Sequence, residues 1–270
     1  MNSQSFIRKY YKPIQPTVAA NNDKIIYQES KPNKEIADYI FCFWQLKTLT
    51  RLDQDYNYRV VSDGCIDIFF DHKNPGENFV MGFCRKFVEF PIGKEFDYMG
   101  IRFLPSAFSH LFGVNALFLA NQSQKLKLVL PKFSEWINSE IKPTHSFRSI
   151  TKLLNEKIIG YLKIQEIHYD YRFLDALKRI LQKNGYLNIE KDLNTGLSPR
   201  HLRRIFKFHI GTTTKSFCNV VRFQYILKAK PSKQSLKESK IYFDVGFFDQ
   251  AHFIKDFKAY YGVPPSKAFH

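Results

Sequence analysis

Four basic residues, Arg200, Arg203, Arg204 and Lys207, fall within the stretch LSPRHLRRIFKFHIG (residues 197–211) at a spacing that places them on one side of a helix. Arginine can bridge the O6 and N7 atoms of guanine, and lysine neutralises phosphate, so the chemistry implied is nucleic-acid recognition rather than bond making. Leu202, Ile205 and Phe206 recur on the other side and can hold such a helix on a domain. Ser198 suits the N-cap and Pro199 the first helical position. Residues 189–195 read as a weaker helix, and Gly196 between the two suits a tight turn. Helix, glycine turn and capped basic helix, in that order, are the parts of a helix-turn-helix.

The pattern recurs. Residues 245–262, VGFFDQAHFIKDFKAYYG, offer a turn at Gly246, a cap at Asp249, apolar Phe253 and Phe257, and exposed Gln250, His252, Lys255 and Lys258. Each unit closes on a Phe-Lys pair followed by glycine: Phe206-Lys207 before Gly211, Phe257-Lys258 before Gly262. Two such units, with caps 51 residues apart at Ser198 and Asp249, resemble the DNA-binding domain of the AraC/XylS family of bacterial transcription regulators. The matching residues are Ser198-Pro199-Arg200, Leu202, Arg204, Phe206 and Gly211, then Gly246-Phe247, Asp249-Gln250, His252-Phe253, Phe257-Lys258, Gly262 and Pro264-Pro265. Residues 214–229, with Arg222, match the family's long connecting helix, whose own apolar face is expected to contain Phe217, Val220, Val221, Tyr225 and Leu227.

The resemblance implies double-stranded DNA as partner, read at two successive major-groove faces by two recognition helices. The residues it places at DNA are Ser198, Arg200, His201, Arg203, Arg204 and Lys207 in the first unit, and Asp249, Gln250, Ala251, His252, Lys255 and Lys258 in the second. RNA polymerase, a small-molecule effector at the N-terminal domain and a homodimeric partner are further options that it leaves open. The chain departs from the family where alanine usually sits at the tight crossing of the two helices of each unit: those places hold Asp192 and Tyr242.

Charge agrees with a polyanionic partner. Lys and Arg number 41 against 25 Asp and Glu, a formal net charge of +16. From Asp170 onward there are 19 basic and 8 acidic residues, before it 22 and 17, so the smaller C-terminal part holds most of the excess. The beginning, MNSQSFIRKYYKPIQP, lacks an apolar signal region, and no later stretch has the roughly 18 uncharged apolar residues of a membrane span. A cytoplasmic protein without membrane partners is expected. Cys42, Cys65, Cys84 and Cys218 are far apart with no C-x-x-C pair, which argues against zinc and a disulfide framework and for buried small hydrophobes.

The fold class expected is α+β: a mainly β, sensor-like N-terminal domain followed by an all-α domain with two helix-turn-helix units joined by a long helix. Domain 1–148 contains short aromatic or β-branched runs at 39–46, 58–61, 65–70, 78–83, 87–92 and 96–103. Asp63-Gly64 suggests a hairpin, Asn74-Pro75-Gly76 a loop, and 106–112 a short helix ended by Gly113. The succession DGCIDIFF, FVMGF, YMGIRFLPSAFSHLFGV resembles the N-terminal domain of one branch of AraC-like regulators, although Arg102-Phe103 is followed by Leu104-Pro105-Ser106 where that branch has proline-glycine. Residues 149–168 form a helical connector and 169–270 the double helix-turn-helix domain. Amphipathic helices are expected at 147–162 and 169–183; in AraC-like proteins comparable helices connect sensor and reader and in some cases dimerise, and packing on their own domain is the alternative.

An enzymatic role would need a reactive constellation. Asp67, Asp71 and His72 lie close together at the end of a candidate strand and His110 on a candidate helix, the residue types of a metal or acid-base site. No nucleophile elbow, P-loop or dinucleotide glycine motif accompanies them, and no cofactor, catalytic residue or metal site is expected. A sequence-specific, AraC-type transcription regulator under effector control is therefore the main expectation; an architectural DNA binder without a sensor role and a metal-dependent enzyme with a basic tail are the alternatives.

Overall fold

The computed structural model describes residues 5–16, 23–231 and 249–269. Val245, Gly246, Phe247 and Tyr242 lie outside these, and with them the expected turn and crossing of the second unit.

Alternation along the strands builds the N-terminal part. β1 (Ile25–Ser30), β2 (Ile40–Thr48), β4 (Ile66–Asp71), β5 (Asn78–Met81), β7 (Asp97–Phe103) and β8 (Ser123–Lys125) form one antiparallel sheet in the order β1-β2-β7-β4-β5-β8. Ile66, Ile68 and Phe70 of β4, with Met99, Ile101 and Phe103 of β7, are buried in the main core on one face. Asp67, Phe69 and Arg102 occupy the other. The segments β3 (Asn57–Val60) and β6 (Val88–Pro91) pair as a separate two-stranded ribbon. Six strands thus lie where the β-rich runs placed them; β1 and the three-residue β8 have no such signal.

The hairpin expected at Asp63-Gly64 does not form. Gly64 does turn, at φ +73°. Its flanking strands go to different sheets, however: β3 pairs with β6 (Tyr58 opposite Phe90), while β4 pairs with β5 and β7. A turn residue reports that the chain reverses, not which strands pair. A Cβ at Gly64 would lie 3.0 Å from the Phe217 ring, so the turn is shaped by a distant helix.

The helices cover the core face of the sheet. They are α1 (Ser5–Tyr10), α2 (Ala107–Phe112), α3 (Pro131–Glu140), α4 (Phe147–Ile164) and α5 (Tyr171–Gln182). In α4 and α5, Ile150, Leu154, Ile158, Phe173, Leu177 and Ile180 are buried within this chain, so those two faces are satisfied intramolecularly. One hydrophobic cluster runs continuously from Ile7 in α1 to Val221 in the helices that follow. The remaining elements are α6 (Ile189–Asp192), α7 (Pro199–Ile210), α8 (Thr214–Ala229), α9 (Gln250–Tyr261) and α10 (Pro265–Ala268). The expected weak helix at 189–195 is only four residues long. Asp192 accepts the Asn188 N–H at 2.8 Å and lies 3.6 Å from Lys183 Nζ, so its carboxylate is used at the helix edge rather than in a tight crossing. In α8, Phe217, Val220, Val221 and Leu227 are buried as expected, but Tyr225 is exposed and Gln224 takes the inward position.

Candidate nucleic-acid interface and internal cavity

Helices α7 and α9 are each delimited by the residues their sequence suggests. Ser198 Oγ accepts the His201 N–H at 3.3 Å at the start of α7, and Gly211 ends it at φ +89°. Asp249 Oδ1 accepts the His252 N–H at 2.7 Å at the start of α9, and Gly262 ends it at φ +99°. Ser198 and Asp249 are therefore helix caps that lie at the exposed surface.

On α7, Arg200, Arg203 and Arg204 are exposed, and His201 and Lys207 are half-buried. Leu202, Phe206 and Ile210 face the core. Arg204 Nη2 lies 3.4 Å from His201 Nε2, and none of the three arginines is ion-paired with a described residue. Three unneutralised guanidinium groups on one helix face make a strongly cationic stripe. On α9, Gln250, Ala251, His252, Lys255 and Lys258 are exposed, and Phe253 and Phe257 are buried. His252 Nε2 lies 3.3 Å from Asp256 one turn on, so this face is less positive than the first.

Both helices rest on the N-terminal part by their C-terminal ends, where the last carbonyls lack intrahelical partners. At α7, Ser109 Oγ of α2 donates to Phe208 O (3.3 Å), and an added Cβ at Gly211 would lie 2.8 Å from Ala116 O. The imidazoles of His110 (α2) and His209 (α7) stack at 4.2 Å, with Phe173 at 4.9 Å from the His209 ring. Burial pushes His110 down to about 3, helped by His209, and His209 down to about 4. At α9, the Phe87 N–H donates to Ala259 O (3.1 Å) and the Ser62 N–H to Tyr260 O (3.4 Å), so the β3–β6 ribbon and its flanks close the helix end. Val61 packs with Phe223, Ile226, Leu227, Phe253 and Phe257 in a second, smaller cluster. Gln224 of α8 joins this seat: its Nε2 donates to Ser62 O at 2.8 Å and its Oε1 accepts the Ile14 N–H at 2.8 Å.

Between that ribbon and the outer face of the large sheet is a cavity of about 440 Å³. Strand register builds its floor. Arg102 lies opposite Asp67 and Cys42, and Gly100 opposite Trp44 and Phe69. A side chain at Gly100 would put its Cβ 2.4 Å from the indole of Trp44, so the glycine lets that ring lie flat over β7. Tyr58, Val60 and Phe90 of the ribbon form the roof, and Val61 lines the cavity as well as the cluster beneath α9. Arg102, 2% exposed at its side chain, donates Nη2 to Asp67 Oδ2 at 2.9 Å, and Trp44 Nε1 donates to the same oxygen at 3.1 Å. Burial pushes the Asp67 carboxyl above the ordinary carboxylate range, with the guanidinium opposing.

The sequence candidates for catalysis are dispersed. Asp67 is bound by Arg102, His72 Nδ1 lies 3.0 Å from Asp97, and His110 is at the α7 seat. Among the described residues no cluster of three or more His, Cys, Asp or Glu side chains has metal-binding geometry. The four cysteines are free and buried, and burial pushes their thiols up. No described helix is long and apolar enough to cross a membrane. The cavity residues were not legible as a site in the sequence. Their one signal is polar Asp67 and Arg102 placed in otherwise apolar strands, which only strand pairing brings together.

Residues 194–270 match a helix-turn-helix domain family and residues 28–125 a domain of unknown function, DUF6597. No curated protein matches the chain. Among solved structures, ToxT from Vibrio cholerae O395 is 14% identical, with a TM-score of 0.36 over 91% of this chain and 95% of that one. The same protein bound to (E)-4-(8-methylnaphthalen-1-yl)but-3-enoic acid is 13% identical, with a TM-score of 0.40 over 92% of this chain and 98% of that one.

Proposed function

We propose that this chain, whose C-terminal part is an AraC-type helix-turn-helix domain, is a sequence-specific transcription regulator controlled by a small molecule held in its N-terminal cavity. Double-stranded DNA is the partner of α7 and α9. Arg200, Arg203 and Arg204 contact bases and adjacent phosphates at the first head, with Ser198, His201 and Lys207 flanking them. Asp249, Gln250, Ala251, His252, Lys255 and Lys258 serve the second. The two heads address successive major-groove faces, about 34 Å apart along the duplex. The protein acts in the cytoplasm as a regulator and not as an enzyme. Its working parts are 1–148 as sensor, 149–168 as connector and 169–270 as reader.

One observation supports effector control above all: Val61 both lines the cavity and packs with Phe253 and Phe257 under α9. A ligand that moves the β3–β6 ribbon changes the seat of the second head, and with it the population able to engage both half-sites. The first head rests on the main core and does not share that seat. Hydroxyl-radical footprinting of the full chain and of Val61→Ala on a selected site tests this. We expect the variant to keep protection of the first half-site and to weaken or shift the second. Identical footprints, or uniform loss over both halves, would remove the coupling; protection of DNA without any discrete site would replace the regulator with an architectural binder.

A further inference from the structure

The cavity floor contains a charge cluster that does not balance. Asp67 accepts from Arg102 Nε (3.2 Å) and Nη2 (2.9 Å), and Asp63 Oδ2 lies 3.5 Å from Arg102 Nε. Asp63 also accepts from Gln15 Nε2 (2.8 Å) and from the Cys65 N–H (2.9 Å). When both carboxyls are ionised, two carboxylates against one guanidinium leave one negative charge in excess. Lys125, the other cation among the described residues that line the cavity, is ion-paired with Glu77 and so does not offset it. Nor is the arginine the group that meets the open space: its side chain is 2% exposed, against 10% for Asp63 and 15% for Asp67.

An unbalanced buried carboxylate is costly unless it is protonated or matched by a cation. A divalent metal ion would require more oxygen ligands than this site presents. The walls favour another kind of cation. Trp44, Tyr58, Phe69, Phe90 and Tyr98 surround the space, and the negative faces of aromatic rings attract ammonium groups. A space of about 440 Å³ with mostly apolar walls also suits a ligand with an apolar body.

We infer that the cavity binds a small organic cation, a protonated amine or quaternary ammonium on an apolar body, with its nitrogen at the Asp63–Asp67 edge and its body among Trp44, Tyr58, Phe69 and Phe90. This ligand class rests on the identification of the cavity as the effector site. A carboxylate ligand would instead approach Arg102 past two carboxylates of its own sign.

Three probes share a body and differ in head group: phenylpropylamine, phenylpropanol and phenylpropanoate. Binding to the full chain is followed by calorimetry and by the fluorescence of Trp44, made the sole tryptophan by Trp136→Phe. The amine is expected to bind about 10-fold or more tightly than the alcohol, the carboxylate weakest of the three. Asp67→Asn should abolish that preference while leaving alcohol binding within about 3-fold. Tyr58→Leu, which leaves the ion pairs intact, should weaken the amine more than the alcohol. Equal binding of all three probes, or a preference for the carboxylate, overturns the cation while leaving a ligand cavity. No binding by any probe overturns both the cation and the cavity as effector site. Amine binding that leaves DNA affinity unchanged supports the ligand class and sinks effector control.

Discussion

Helices α7 and α9 are built by the same local rules and seated on different parts of the molecule. Each has a side-chain cap and a left-handed glycine, and each has two phenylalanine or leucine anchors facing inward. Yet α7 rests on α2 and on residues 116–119, within the continuous main core, whereas α9 rests on α8 and the β3–β6 ribbon in a small separate cluster. A helix moves with what it is packed on. The first head is thus tied to the most deeply buried part of the chain, and the second to an element that borders a cavity. Helices built alike can therefore differ in how firmly they are held, the first on the main core and the second on a smaller cluster.

Salt dependence should show the largest effect. If six to ten phosphates are neutralised, affinity falls by about 10³ to 10⁵ between about 50 and 200 mM salt. Replacing Arg200, Arg203 and Arg204 by glutamine should reduce the logarithmic salt slope by about 2.7, and replacing Lys255 and Lys258 by about 1.8. Equal reductions, read from binding isotherms at several salt concentrations, would erase the difference in charge between the heads.

Stability should separate the seats. Phe206 and Phe257 are both buried, and truncating either to alanine should cost about 3–5 kcal/mol. Phe206→Ala is expected to lower the global unfolding free energy. Phe257→Ala should instead open α9 locally, leaving amide protection in α7 and β4 unchanged by hydrogen exchange. Simultaneous loss of protection in both helices would mean that the two clusters are one cooperative unit.

At the level of single contacts, Arg203→Ala should lose about 1–3 kcal/mol of discrimination at one or two base positions. Lys207→Ala should weaken cognate and random DNA alike. Competition binding with single-base variants of the site measures both, and equal losses on cognate and random DNA for Arg203→Ala would remove it from base readout.

The smallest effect is a pH dependence confined to the first seat. His110 and His209 are held at about 3 and about 4, below the ordinary value near 6.5, chiefly by burial. Between those limits the undocked state binds protons that the docked state excludes. Docking of α7 is therefore strongest above pH about 6.5 and weakens as pH falls toward the lowered values. Asp170 pulls His209 the other way, and Ser106 O, 3.0 Å from Nδ1, does so for His110; both blunt the effect. Exchange rates in α7 at neutral and mildly acidic pH, with the double variant His110→Phe/His209→Phe as the insensitive control, check it. A matching response in α9 once His252 is replaced by glutamine would count against it, since no histidine is among the described residues of its cluster.

Much of the reader was legible because its signals are local. Ser198-Pro199, Asp249, Gly211 and Gly262 mark helix limits by capping chemistry within one turn, and the helix expected at 214–229 is the helix that forms. The strands around Asp67 and Arg102 were legible for the same reason, through short aromatic or β-branched runs between turn signals. Pairing was not. Asp63-Gly64 carries a hairpin signal, but the partners of β3 and β4 are chosen by which faces bury against which layer. Tyr225 and Gln224 show the same limit within a helix: helical spacing admits Tyr225 to the apolar face, but the carbonyl of Ser62 and the backbone of Ile14 give the amide of Gln224 the hydrogen bonds that make it the buried one. By itself, then, the sequence determined two capped basic helices, their connecting helix and a β-rich partner. Only the tertiary structure decided that Arg102, Asp63, Asp67 and Trp44 share one cavity and that its roof seats the second helix, because residues from four separate segments meet there through strand register and packing that no neighbouring residues encode.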